Sequence, residues 1–331
     1  MLRLPRLRLL RPGSAREAAA AAAELGSRGM LLAGGTDLLP KLKRRQFDPD
    51  TLVALGHLAG LTGVRGDHAG GFELGALVTL TEAAAHPGYA EAAGLVSSPP
   101  LRNVGTIGGN LCVDTRCNYY DMTYEWRRSV GFCMKKDGDI CLVAPGSPRC
   151  WAVSSSDTAP VAIALGATVT LAGPDGEREL PAAALYRDDG IEYLAKRPHE
   201  VVTSLRLPAA DGTASAYVKL RRRGSIDFPI AGAAVALRMD GTRVDSARIV
   251  LSAVGSRPVE ATAGAELLTG AELTPETVAA AAEAAARPAK PLDNADLAHF
   301  WRKRMVRVVV EQAIERAAER ARLRGRSGGL P

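Results

Sequence analysis

A chain of 331 residues is longer than one hydrophobic core usually organises, so two domains are expected. Its 47% hydrophobic and 24% charged residues are those of an ordinary globular protein, and a net charge of +6 from scattered basic residues argues against a nucleic-acid-binding surface. Five cysteines, odd in number and confined to one segment, do not read as a secreted disulfide framework, and no apolar run approaches the ~18 residues of a membrane span.

Arginines at positions 3, 6, 8 and 11 interrupt any signal-peptide core, so a cytoplasmic protein with its mature N-terminus is expected. A short strand over 4–10 is predicted to turn at Pro12-Gly13 into a helix, whose start carries the capping-box spacing Ser14/Glu17. The apolar stretch 30–33 reads as a strand ending in Gly34-Gly35-Thr36-Asp37, with a short helix over 38–45 and a strand over 51–55. Residues 71–80 alternate and read as another strand, followed by a small helix over 81–85 that Pro87-Gly88 stops. This alternation indicates an α+β layer.

The segment 101–151 holds every cysteine, and the glycine turn 105–109 runs directly into it. Beyond it, a helix over 159–165 is predicted, then strands at 167–171 and 200–207 and a boundary at Asp211-Gly212. Strands at 216–220, 230–239 and 243–254 follow, the last two joined by the Asp240-Gly241 turn. Helices are predicted over 259–268, 277–286 and 296–324, the last with an apolar stripe (Val306, Val309, Val310, Ala313, Ile314) and an arginine-rich solvated face. Only 327–331 reads as disordered.

Two glycine-rich loops could carry chemistry. Adjacent glycines in Leu31-Leu32-Ala33-Gly34-Gly35-Thr36-Asp37-Leu38 let backbone approach a ligand and point N–H groups at an anion, with the Thr36 hydroxyl as a further donor. The loop is neither a Walker loop nor a G-x-G-x-x-G fingerprint, and an ordinary strand-ending turn explains it as well. The second loop, 104–111, contains Thr106, Gly108, Gly109 and Asn110; together the two suit a pyrophosphate held from both sides. In Ser154-Ser155-Ser156-Asp157, Asp157 has the spacing of a helix N-cap.

The cysteines lack any C-x-x-C pair, so they match neither usual zinc spacings nor ferredoxin runs. Four thiols between Cys117 and Cys150 favour metal over disulfide, while buried free cysteines remain the plain alternative. Tyr119, Tyr120, Tyr124, Trp126 and Phe132 lie between them, either as a wall over a metal centre or as the loop's own small core. Asp137-Gly138-Asp139 reads as a turn returning the chain. There is no H-E-x-x-H, no G-x-S-x-G, and the histidines are dispersed, so nothing points to hydrolysis.

The loops at 31–38 and 106–110, Ser156-Asp157, Tyr217-Val218-Lys219 and the segment 221–227 resemble the FAD-binding subunits of molybdenum hydroxylases, the xanthine dehydrogenase family. That resemblance spans nearly the whole chain. It implies an α+β fold of the vanillyl-alcohol-oxidase (PCMH) type, with an FAD domain over 1–209 in two α+β parts and a smaller sheet-plus-helices domain over 212–325. It also implies FAD contacts at 31–38, Thr106, Gly108, Gly109, Asn110 and Asp157, with Val202 against the flavin and Lys219 near it. The insertion at about 112–152 is similar to that of the β subunit of 4-hydroxybenzoyl-CoA reductase. By that resemblance Cys117, Cys133, Cys141 and Cys150 would hold a [4Fe-4S] cluster and Cys112 would be spare. The implied partners are a molybdopterin-containing large subunit and a small [2Fe-2S] subunit, with ferredoxin as electron donor, arranged as a dimer of heterotrimers. A hydroxylase or aldehyde oxidoreductase passing electrons outward is the alternative, and a zinc or interaction module the rival of another class.

Overall fold

The computed structural model describes residues 3–67, 69–86, 88–210 and 212–327, which leaves Pro87, Asp211 and 328–331 of the expected stop, boundary and tail outside the described residues. The first unit is a three-stranded parallel sheet in the order β1-β3-β2, with β1 Arg8–Leu10, β2 Gly29–Leu32 and β3 Thr51–Ala54. Helix α1 (Ala15–Leu25) begins with the Ser14 hydroxyl accepting from Glu17 N, while the Glu17 carboxylate reaches back to Gly13 N. Its small face, Ala18 and Ala19, is fully buried with Val53, Leu61 and Val201.

A five-stranded antiparallel sheet follows in the order β4-β5-β8-β6-β7: β4 Val64–Asp67, β5 Gly71–Gly75, β6 Thr168–Gly173, β7 Gly176–Pro181, β8 Val201–Leu207. The strand expected over 71–80 stops at Gly75. Beyond it, the carbonyls of Ala76 and Val78 accept from Gly108 N and Ile107 N, so this backbone holds the second glycine loop, with Ala76 N still donating to Thr203 of β8. Short helices α2 (Leu38–Lys43), α3 (Leu80–Ala83), α4 (Ala90–Gly94), α5 (Pro99–Arg102), α6 (Ile107–Leu111), α7 (Tyr124–Ser129) and α8 (Thr158–Ala164) connect these parts.

The C-terminal sheet runs β12-β11-β10-β9: β9 Ala214–Leu220, β10 Ala231–Asp240, β11 Arg243–Ser252, β12 Val259–Glu260. The helix expected to begin at 259 starts only at Thr262, because Val259 and Glu260 add a short edge strand to β11. Helices α9 (Thr262–Leu268), α10 (Pro275–Ala286) and α11 (His299–Ser327) cover one face, where Ala233, Val235 and Leu237 meet Val306, Val310 and Ile314. The opposite face of β10, Ala234 and Ala236, joins the core that contains α8 and the five-stranded sheet. A strand buried on both faces reads as continuous apolar sequence, as β10 does. Helix α8 thus lies between the two antiparallel sheets, and Asp157 sits at its N-terminus.

Candidate functional site

The two glycine loops meet. A Cβ at Gly34 would lie 2.0 Å from the Val104 carbonyl oxygen, and one at Gly105 would lie 3.5 Å from the Thr36 hydroxyl. Gly35 has φ +70°, the left-handed region that glycine enters without strain. Among the described residues, nothing accepts a hydrogen bond from the backbone N–H groups of Gly34, Gly35, Thr36 or Asp37. These groups are only partly buried, so they are poised to meet an anion arriving from outside. Leu31 and Leu32 supply the preceding strand and Leu38 starts α2.

In the second loop the Thr106 hydroxyl accepts from Gly109 N and caps α6. Gly108 is pressed on Ala76, where a Cβ would come within 2.7 Å of the alanine methyl. Asn110 Oδ1 accepts from Ser156 Oγ, Thr158 N and Thr158 Oγ1, tying this loop to the start of α8. That leaves the Asn110 amide nitrogen without an acceptor among the described residues. Ser155 Oγ is buried and also has no partner, an orphaned donor in the same stretch. Open N–H groups on touching glycine loops, with an orphaned hydroxyl nearby, fit a cofactor carrying a pyrophosphate.

Asp157 does not cap α8 with its side chain. Ser156 Oγ accepts from Ala159 N in that role, which frees the Asp157 carboxylate. It accepts instead from Tyr217 Oη and Lys219 Nζ, each at 2.8 Å, both on β9. Burial raises the Asp157 carboxyl, with Lys219 and Tyr217 pulling the other way. Lys219 Nζ also donates to the carbonyls of Leu95 and Asp227, so all three of its donors are engaged with protein. Val202 is buried in the main core opposite Leu171. The resemblance-based contacts thus fall into two sets: an open cradle at 33–37 and 106–110, and a buried junction at Asp157, Val202 and Lys219.

The cysteine insertion is closed at its neck. Arg116 and Val153 exchange two backbone hydrogen bonds, 2.8 and 2.7 Å, so residues 117–152 form a pinched loop. The Arg116 side chain turns the other way, donating to Asp37 (2.6 Å) in the first glycine loop and to Asp121 (3.1 Å), and its guanidinium stacks 3.5 Å from the Phe228 ring. Burial raises the Asp37 carboxyl, opposed by Arg116 and Lys41.

All five cysteines are free thiols. Cys117, Cys133 and Cys150 share one small core with Tyr120 and Ala152, and Cys150 lies within electrostatic reach of both Cys133 and Cys141. Burial pushes the Cys117 thiol up to about 12 and the Cys150 thiol up to about 11, which argues against exposed reactive thiolates. The backbone N–H of Ala152 donates to Cys150 Sγ (3.4 Å), and that of Tyr120 to the Cys117 carbonyl (3.0 Å). Gly190 seats against Cys150, where a Cβ would be 2.6 Å from the sulfur. The turn at 136–138 folds onto Cys133 through Lys136 N and Gly138 N, with Asp137 at φ +69°.

Among the described residues, no group of three His, Cys, Asp or Glu side chains is drawn tightly enough to hold a single metal ion. Tetrahedral zinc at ~2.3 Å from each sulfur would need sulfurs only about 3.8 Å apart. A multi-iron cluster spaces its thiolates more widely, each on a different iron.

Charge-bearing residues that spacing did not reveal surround this core. Lys41 is fully buried, 2.8 Å from Asp114, with its ammonium 4.7 Å from the centroid of Tyr120. Lys135 takes the other Asp114 oxygen at 2.8 Å and lies 4.8 Å from the same ring. Burial works to raise the Asp114 carboxyl, but the two lysines hold it below its usual range. Arg127, 1% exposed, donates to the carbonyls of Arg44 and Arg45, while its Nε and Nη1 have no hydrogen-bond partner.

An open anion cradle beside a PCMH-type α+β framework, followed by a sheet-and-helix domain, defines a flavoprotein of the vanillyl-alcohol-oxidase type. The chain belongs to the flavin-binding family of the molybdenum hydroxylases. Residues 5–210 match the "FAD binding domain in molybdopterin dehydrogenase" and residues 215–317 the "CO dehydrogenase flavoprotein C-terminal domain". It is 32% identical over 298 residues to the carbon monoxide dehydrogenase medium chain of Hydrogenophaga pseudoflava, covering 88% of this chain and 89% of that one. It is 32% identical over 276 residues to the aldehyde oxidoreductase FAD-binding subunit PaoB of Escherichia coli, covering 76% and 83%. The solved carbon monoxide dehydrogenase from H. pseudoflava superposes with a TM-score of 0.78 at 29% identity, over 96% of this chain and 99% of that one.

Proposed function

We propose that this chain is the electron-transfer subunit of a molybdenum hydroxylase complex, with electrons leaving a substrate oxidised elsewhere in the assembly and passing outward through FAD. The likeness to medium chains of carbon monoxide dehydrogenase and to an aldehyde oxidoreductase subunit supports this direction. Its partners are a molybdopterin-containing large subunit and a small [2Fe-2S] subunit, assembled as a dimer of heterotrimers. FAD supplies the exchange between two-electron and one-electron chemistry. The chain's own part is to grip the pyrophosphate at Ala33–Asp37 and Thr106–Asn110 and to bring the Asp157–Lys219 pair to the flavin side.

We further infer that Cys117, Cys133, Cys141 and Cys150 hold a [4Fe-4S] cluster. The observation that carries this is a buried core holding Cys117, Cys133 and Cys150, with Cys141 also buried and the Ala152 N–H donating to Cys150 Sγ, the kind of hydrogen bond that stabilises cluster thiolates. The Arg127 Nε, beside Phe132-Cys133, has no hydrogen-bond partner, which suits an anionic centre, although Nη1 lies 3.9 Å from the Asp137 carboxylate. Purified protein should show iron–sulfur absorption beneath the flavin bands. Cys133→Ser should lose iron while keeping FAD; retention of all iron in that variant sinks the ligand assignment.

A second reading reverses the flow: reduced ferredoxin donates, and the complex removes the para-hydroxyl of 4-hydroxybenzoyl-CoA. The likeness of the insertion around Asp114-Thr115-Arg116-Cys117 and Arg149-Cys150 to that reductase's β subunit favours it. Assaying the complex with 4-hydroxybenzoyl-CoA plus reduced ferredoxin, against aldehydes plus an electron acceptor, separates the two.

A further inference from the structure

The open row of backbone N–H groups at Gly34–Asp37 ends on an acid. Asp37 brings its carboxylate to the same anion that its backbone would meet, and like charges so placed repel. A residue of the insertion covers that charge: Arg116 Nη2 donates to Asp37 Oδ1 at 2.6 Å, while Nη1 donates to Asp121 at 3.1 Å. Arg116 lies outside both glycine loops, 79 positions from Asp37. The pair is not sealed, the arginine side chain being 15% and the aspartate 26% exposed.

The other cation beside Asp37 is already spent. Lys41 is fully buried, 2.8 Å from Asp114 and 3.7 Å from Asp121. Burial raises the Asp37 carboxyl; Arg116 and Lys41 oppose this, and the charges of Asp114 and Asp121 add to it. Arg116 keeps donors in reserve: its Nε is buried without a hydrogen-bond partner among the described residues. The Phe228 ring covers one face of the guanidinium at 3.5 Å, which keeps water off it and strengthens its remaining interactions. A planar guanidinium fork is the side chain best matched to phosphate oxygens.

We propose that Arg116 is the counter-cation of the cofactor's pyrophosphate, and that the Asp37 carboxylate competes with the phosphates for it. This rests on the reading that the glycine cradle holds FAD. In the empty cradle Asp37 keeps the guanidinium in place. In the loaded one Arg116 turns charge towards the phosphates, and Asp37 limits how much of that charge they receive. The pair thereby sets FAD affinity from a residue of the insertion, and the sign of each charge change is fixed in advance.

The test is fluorescence titration of the flavin-free, full-length protein with FAD. Arg116→Gln leaves the carboxylate uncovered and should weaken binding about tenfold, whereas Asp37→Asn frees the guanidinium and should tighten it by about the same factor. Asp37→Asn/Arg116→Gln removes both charges and should return to within about threefold of wild type. The spread among the variants should narrow as salt is raised. A pair that merely pins the loop predicts the opposite for Asp37→Asn: weaker binding, with no recovery in the double variant. Asp37→Asn keeps the shape of the side chain, so it carries the sign test even where Arg116→Gln lowers the melting temperature. Wild-type protein that fails to bind FAD overturns the cradle reading and the pair with it. Wild-type binding with Asp37→Asn unchanged or weaker overturns the role of Arg116 alone.

Discussion

Gly34→Ala is the sharpest probe of the cradle, because it adds one methyl where two backbones touch. The new Cβ would sit 2.0 Å from the Val104 oxygen and 2.8 Å from its carbonyl carbon, and neither can rotate away. Restoring ordinary contact near ~3.5 Å requires the loops to part by about 1.5 Å. Overpacking of this kind costs about 2–3 kcal/mol. In the empty protein the half-exposed loops can part and relieve the strain. Binding the cofactor pulls them together again, so most of the cost should fall on FAD affinity, about 30- to 100-fold. Fluorescence titration of the apoprotein with FAD measures this directly, with the melting temperature of the apoprotein as the control for folding. Gly60→Ala, where no heavy atom lies within 4 Å of the added methyl, should leave affinity alone. Wild-type FAD affinity in Gly34→Ala would show that the two loops do not grip the cofactor jointly.

Two further substitutions test the charged junctions. Asp157→Asn leaves the Lys219 ammonium buried without a counter-charge and should destabilise by about 3 kcal/mol, much of which Asp157→Asn/Lys219→Met should restore; equal melting temperatures in the single and double variants would count against the ion pair. The Arg178 guanidinium holds Glu200 down at about 2, from an ordinary 4.5. A depressed carboxylate stabilises the fold above its unfolded pKa, and that contribution is lost as pH falls from 4.5 towards 2. Screening at the half-exposed Arg178 limits it to about 1–2 kcal/mol, so Arg178→Gln should lower stability at neutral pH by that amount and flatten the acid side of a melting-temperature profile.

How far the fold could be read from sequence depended on whether the cause was local. Ser14 and Glu17 announced α1, the Asp240-Gly241 turn announced its hairpin, and the stripe Val306, Val309, Val310, Ala313 and Ile314 is buried as its spacing required. The glycine loops were visible because closely approaching backbone excludes other residues. Charges were the opposite case. Lys41 finds Asp114 across 73 positions, and Asp157 finds Lys219 across 62. No local pattern separates such a residue from a solvated one. The arginines of α11 read as an outer face, yet Arg302 is fully buried and donates to the carbonyls of Ile230, Leu292 and Ala253. Asp157 read as a helix cap because its spacing is right, while Ser156 one position earlier does the capping. The signal that would have raised Asp157 above a cap was the lysine and tyrosine alternating on one strand, Tyr217 and Lys219, on the same face at period two.

Arg116 explains why the insertion occurs where it does. Its backbone closes the neck with Val153, so the chain can leave the second glycine loop, build an extra core and return to Ser154 without disturbing α8. Its side chain holds Asp37 in the first glycine loop, and the next residue is Cys117. One residue thus sits between the flavin cradle and the thiol core and is hydrogen-bonded into the first while being covalently continuous with the second. Lys41–Asp114 and Gln46–Tyr120 further anchor the loop to α2 and the segment after it. A guanidinium shared by Asp37, Asp121 and the Phe228 ring fixes the separation of the first glycine loop and the thiol core from three sides.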